Sequence, residues 1–263
     1  MSLQGTALSS DGVPIRYELH GTEGRPLVFV HGWSCDRSYW RGQVEHFARG
    51  HRVVTVDLAG HGESGAGRDE WTMTAFGDDV VAVVEELGLD DVVLVGHSMG
   101  GDVIVEAALR LRGRVAALVW VDVYAELGGP SRNADAFMEP FRHDFVTATR
   151  EFVERRLFTP DSDRDHVEWV AADMSSAPPE IALDAMKHAI TNDEAIRSGL
   201  RQLDVPFFAI NPDNRPTDVE SLRRHGVEPI VMPGVAHFLM LENSEGFNRL
   251  LDDVLERAAP IKS

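Results

Sequence analysis

Runs of consecutive apolar residues recur along the chain, each closed by Gly, Pro or Asp: "PLVFVHG" (26–32), "RVVTVDLAG" (52–60), "DVVLVG" (91–96), "RVAALVWVDV" (114–123), "VPFFAI" (205–210) and "EPIVMPG" (228–234). A strand covered on one face alternates apolar with polar residues, whereas one covered on both faces is apolar throughout, so these runs predict buried strands of a parallel sheet. Between them the period becomes helical. In "WTMTAFGDDVVAVVEELG" (71–88) apolar residues recur at Met73, Phe76, Val80, Val83, Val84 and Leu87, with a Thr near the start and Gly88 at the end. "GGDVIVEAALRLRG" (100–113) and "SEGFNRLLDDVLERAA" (244–259) follow the same pattern. Strand and helix alternate, which predicts an α/β fold: a mostly parallel central sheet with helices on both faces.

From Tyr124 to Leu203 only helical and loop patterns occur, among them "NADAFMEPFRHDF", "DRDHVEWVAADM" and "PPEIALDAMKHAI". The expectation is a small all-helical insertion over 124–203, set between two strands of a core domain made of 1–123 and 204–263. At helical spacing, Phe137, Met138, Phe141, Phe152, Phe158, Trp169 and Met174 are expected to pack mainly between insertion and core, with some lining an apolar pocket.

Charge and cysteine content narrow the partners. The 43 acidic against 25 basic residues, a net −18, repel nucleic acid and anionic membranes and disfavour anionic ligands. A single cysteine, Cys35, rules out an intramolecular disulfide and a cysteine zinc cluster, and reads as a small buried filler. No His pair has metal-ligand spacing. The first residues lack a basic segment leading into an apolar run, and no apolar stretch reaches membrane-spanning length, so a cytoplasmic protein without membrane partner is expected.

Candidate chemistry centres on "GHSMGG", where Gly96-His97-Ser98-Met99-Gly100 makes a G-x-S-x-G motif between a buried strand and a helix. The turn is so tight that a Cβ at either glycine would clash, and its strain lifts the Ser98 hydroxyl to the end of the sheet. A hydroxyl is a poor nucleophile near neutral pH and needs a base; His237, in the loop after "EPIVM", is the candidate. His97 adjoins the serine and points elsewhere around the turn. His31 and His61 belong to Gly-rich loops and read as loop formers.

With "VFVHGW" (28–33), "DLAGHGES" (57–64), "GHSMGG" and "MPGVAHFLMLE" (232–242), the chain resembles the α/β-hydrolase family over nearly its whole length. The resemblance implies a helical cap, the chain order Ser, acid, His, and an oxyanion hole from the backbone N–H groups of Met99 and Trp33. It implies a cofactor-free serine hydrolase acting on small-molecule carboxylic esters through an acyl-serine. Relatives also include cofactor-independent dioxygenases, C–C bond hydrolases and non-catalytic ligand-binding proteins.

The acid departs from the family pattern. Members place it in text like P-x-L-x-I-x-G-x-x-D; here Pro206 and Ile210 match, but Pro212 replaces the Gly and Arg215 stands in the acid's slot. Asp213 lies two residues early. A minority of relatives carry the acid one strand beyond the nucleophile's strand, where this chain has Asp122. Ends of neighbouring parallel strands share one rim, so Asp122 is the preferred candidate and Asp213 the alternative.

Overall fold

A computed structural model describes residues 2–129 and 133–258. Eight strands form one sheet in the order β1-β2-β4-β3-β5-β6-β7-β8. They are β1 (Ser2–Leu8), β2 (Pro14–His20), β3 (Pro26–Val30), β4 (Arg52–Val56), β5 (Val92–His97), β6 (Val115–Val121), β7 (Phe207–Pro212) and β8 (Glu228–Met232). From β4 to β8 every pairing is parallel, while β1 and β2 add an antiparallel hairpin at one edge. The sheet is mostly parallel, as the apolar runs predict. The hairpin escapes that prediction because its strands are half-buried and mix Gln4, Arg16 and Glu18 with apolar residues.

The core helices are α1 (Arg41–Phe47), α2 (Met73–Glu86) and α3 (Met99–Arg110). Between β6 and β7 come α4 (Ala134–His143), α5 (Phe145–Phe152), α6 (Arg164–Met174), α7 (Pro179–Ile190) and α8 (Asp193–Leu200), with no strand among the described residues of that stretch. The chain ends with α9 (Val219–Arg224), α10 (Leu239–Glu242) and α11 (Ser244–Ala258). Helix α2 begins where Thr72 accepts the Ala75 N–H at 3.1 Å, and it buries Met73, Phe76, Val80, Val83 and Val84. Its Gly77 permits close approach to α3: a Cβ there would lie 2.7 Å from the Cβ of Glu106. The strands β3, β5 and β6 supply a core in which Val28, Leu94, Leu118 and Val119 are fully buried. Truncating Leu118 to Ala would cost about 2–5 kcal/mol through lost burial and a residual cavity.

This topology locates the site. The strand order reverses at β3, which pairs with β4 on one side and β5 on the other. In open α/β sheets such a switch point opens a crevice at the carboxyl ends of the strands. Trp33 follows β3, Ser98 follows β5, and Asp122 follows β6.

Candidate active site

Ser98 sits on a strained backbone with φ +51° and ψ −122°, between β5 and α3. Its flanking glycines are required by contact: a Cβ at Gly96 would lie 2.3 Å from the Gly100 carbonyl oxygen, and one at Gly100 would lie 2.5 Å from that of His31. The strand ends are held in step. Ser98 N–H donates to Val121 O at 3.0 Å, and Asp122 N–H donates to Ile210 O at 2.9 Å. Asp122 also has a left-handed backbone, with φ +47°.

Asp122 and His237 meet directly. The imidazole Nδ1 donates to Asp122 Oδ2 at 2.6 Å, and this carboxylate is only 2% exposed. The other oxygen, Oδ1, accepts from Arg215 Nη2. Burial pushes the Asp122 carboxyl up, but the hydrogen bond and charge of His237, joined by the charge of Arg215, outweigh it and hold the group below the usual carboxylate range. The residue standing in the family's acid slot is thus the counter-ion of the carboxylate one strand away. Asp213 is engaged elsewhere: it is exposed, and its Oδ1 accepts the Gly234 N–H at 2.9 Å, closing the loop after β8.

The backbone around His237 is tied down on three sides. Ala236 N–H donates to Glu242 at 2.9 Å, His237 N–H donates to Leu157 O at 3.1 Å, and His97 Nε2 donates to His237 O at 2.9 Å. His97 is buried beside Ser98, its ring 4.6 Å from that of His237, and burial drives its pKa well down. It braces the His237 loop. His31 is buried too, with Nδ1 donating to Gly32 O and Nε2 accepting the Leu58 N–H. Burial lowers it to about 4, and burial with the neighbouring His31 lowers His61 to about 3. Both are neutral loop formers at physiological pH.

Met99 opens α3, so its N–H has no acceptor within the helix and faces the region where the dipole favours negative charge. Trp33, on the loop after β3, anchors its ring by donating from Nε1 to Ala182 O in α7 at 2.7 Å, with Phe141, Phe145 and Phe152 packed edge-on around it. Cys35 is buried and donates to Trp33 O, and burial raises its thiol far above the usual range, consistent with a filler.

Ser98, Asp122, His237 and Trp33 line one cavity of about 730 Å³, together with Phe137, Phe152, Phe158 and Met174. Of the other aromatic residues expected to pack insertion against core, Phe141 meets Trp33 and Trp169 packs against Tyr39 in a tilted arrangement with centroids 4.6 Å apart. A second cavity of about 280 Å³ adjoins Ser98 and Met99 and is lined by Asp102. Asp102 is 3% exposed, accepting from Tyr124 Oη and Asn192 Nδ2 at 3.0 Å each. Burial pushes it up to about 7, against the lowering pull of those two hydrogen bonds.

Three features go beyond the sequence pattern: the Arg215 counter-ion, the His97 brace and buried Asp102. The first had a signal, a cation in the acid's slot. The other two depend on packing that no motif encodes.

The alpha/beta hydrolase fold model matches residues 25–205. The chain is 37% identical over 154 residues to a non-heme haloperoxidase of Rhodococcus erythropolis, covering 55% of each protein. It is 42% identical over 99 residues to a bifunctional esterase/perhydrolase of Acinetobacter calcoaceticus, covering 37% of this chain and 36% of that one. These matches span about half or less of each relative's length. A thermophilic esterase from Thermogutta terrifontis superposes with a TM-score of 0.82 at 26% identity, covering 99% of this chain and 100% of the other. The chain belongs to the alpha/beta hydrolase fold family.

Proposed function

We propose that this chain is a cofactor-free serine hydrolase that cleaves small carboxylic esters through an acyl-serine intermediate. The observation that carries the reading is the buried Asp122–His237 hydrogen bond of 2.6 Å on the wall of the cavity that Ser98 enters from a strained turn. Asp122 occupies Nδ1 of the imidazole, leaving Nε2 to take a proton. As Ser98 Oγ attacks the ester carbonyl, its proton passes to His237 Nε2, and Asp122 stabilises the imidazolium that forms. The N–H groups of Trp33 and Met99 serve as oxyanion donors, aimed where the carbonyl oxygen becomes negative. The imidazolium then protonates the departing alkoxide. Water, losing a proton to the same nitrogen, cleaves the acyl-serine and frees the acid. Helices α4–α8 act as a cap, placing Phe137, Phe152 and Phe158 over the cavity and giving it apolar walls.

The test joins turnover to labelling. A fluorophosphonate probe should modify the protein stoichiometrically at Ser98, and Ser98→Ala should lose labelling and about 10³–10⁶-fold in kcat on 4-nitrophenyl butyrate. Full esterase activity in Ser98→Ala would refute the reading. A second reading comes from the resemblance, since relatives with the acid after this strand include cofactor-independent dioxygenases: dioxygenation with His237 as base and Ser98 never acylated. Oxygen uptake without labelling would select it.

A further inference from the structure

Two cavities of opposite charge meet at Ser98. The larger, about 730 Å³, is bordered by Arg155, Arg156 and Arg215, and its one lining carboxylate, Asp122, is paired with Arg215. The smaller, about 280 Å³, is bordered by Asp102, Glu126 and Asp193, the last paired with Arg197, and shares Arg215 with the larger. In a chain with 43 acidic and 25 basic residues, a positive wall is a local reversal of the overall charge. The anion-repelling expectation from net charge does not describe this cavity.

The two cap arginines are available to a ligand. They lie on the π-helical turn Val153–Leu157, whose residues Arg155, Arg156 and Leu157 all border the cavity in succession. Among the described residues the Arg156 side chain makes no ion pair or hydrogen bond. Among the described residues Arg155 pairs with Glu151 alone, at 3.3 Å, and both side chains are more than half exposed, so little is lost when a better acceptor arrives. Guanidinium groups match carboxylates in shape and charge.

We propose that the substrate is an ester bearing a carboxylate remote from the scissile bond, seated in the larger cavity with that carboxylate on Arg155 and Arg156. The proposal rests on the serine-hydrolase reading and adds the substrate's charge. The smaller cavity has no arginine besides the Arg215 it shares with the larger one and is bordered by Glu126 and Asp193, so the larger cavity is the better seat for the carboxylate and favours one orientation across Ser98.

Two matched esters test it: mono(4-nitrophenyl) glutarate and its neutral partner, methyl 4-nitrophenyl glutarate. At low salt kcat/KM should favour the anionic ester at least tenfold, and the preference should shrink as sodium chloride screens it. In Arg155→Gln/Arg156→Gln, shown by thermal melting to fold, the ratio between the two esters should fall close to one. A ratio near one in the wild type, or one the double variant leaves unchanged, overturns the proposal. Turnover of neither ester counts against the hydrolase reading, and the charge of the site is then read by calorimetry with glutarate against glutaramide. Binding of glutarate alone, lost in the double variant, upholds the charged cavity; failure to bind glutarate refutes it. A third ester, 4-(butanoyloxy)benzoate, places the charge on the leaving group, and its rate relative to the hemiester shows which half of the substrate occupies the larger cavity.

Discussion

Asp122 and Asp102 are both buried carboxylates on the rim of the same crevice, each with two hydrogen-bond partners, yet their ionisation differs. Asp122 is 2% exposed and lies between His237 and Arg215; Asp102 is 3% exposed and lies between Tyr124 and Asn192. Burial pushes both up. At Asp122 the partners can carry positive charge and reverse the shift, whereas at Asp102 the neutral hydroxyl and amide cannot, and the group rises to about 7. At these two equally buried carboxylates the partner's charge, not depth, separates the ionisation; where burial is the stronger effect, as at Asp79 beside Arg68, even a charged partner leaves the group raised.

The largest effect should come from removing the charge at Asp122. Asp122→Asn keeps the shape but no longer stabilises the imidazolium, and kcat on 4-nitrophenyl butyrate should fall by about 10³–10⁴-fold. An intact rate would move the functional acid elsewhere. Replacing its counter-ion should act next. Arg215→Gln leaves Asp122 with an uncompensated charge that holds the protonated imidazole more tightly, so the acid limb of the kcat/KM profile should move to higher pH by about 0.5–1 unit. Restoration by Arg215→Lys would show that charge matters; a uniform loss of rate without movement of the limb would reduce Arg215 to a packing role.

Stability against pH sharpens the same contrast. Asp122, held low, stabilises the fold above the carboxylate titration and loses that contribution as pH falls through its lowered pKa. Asp102 runs the other way. The folded chain keeps this proton after the unfolded chain has released it, so stability falls as pH rises from about 4, the usual carboxylate value, towards about 7. Asp102→Asn removes that slope, and its melting temperature relative to the wild type should rise by several degrees, about 3–8 °C, between pH 5 and pH 8. A constant difference would show that Asp102 is not titrating in this range. The smallest effect belongs to Asp213→Asn, where the amide oxygen can still accept from Gly234; activity should stay within about twofold and stability within about 0.5 kcal/mol.

How much of this was legible before the structure depended on whether the signal was local. The parallel strands were readable because a strand buried on both faces must be apolar throughout, as "DVVLV" and "VAALVWV" are. The β1–β2 hairpin was not, because its half-exposed strands carry charged residues that break the run. Ser98 announced itself through Gly96 and Gly100, which are needed by contacts within a few residues. The meeting of Asp122 with His237 spans 115 positions and requires knowing that β6 lies between β5 and β7, which no single segment states. Resemblance suggested Asp122 and spacing removed the usual slot. The role of Arg215 as counter-ion, and the turn that brings Arg155 and Arg156 to one wall, came only with tertiary packing.

The hydrogen bonds that keep the ends of β5, β6 and β7 level have a geometric consequence. Neighbouring strands lie about 4.8 Å apart, so one imidazole can be served by a carboxylate from either of two adjacent seats while the rest of the machinery stays where it is. A carboxylate in either seat needs no change in the strands that carry Ser98 and His237. In this chain the seat after β7 holds Arg215, which reaches across the gap to pair with Asp122 after β6.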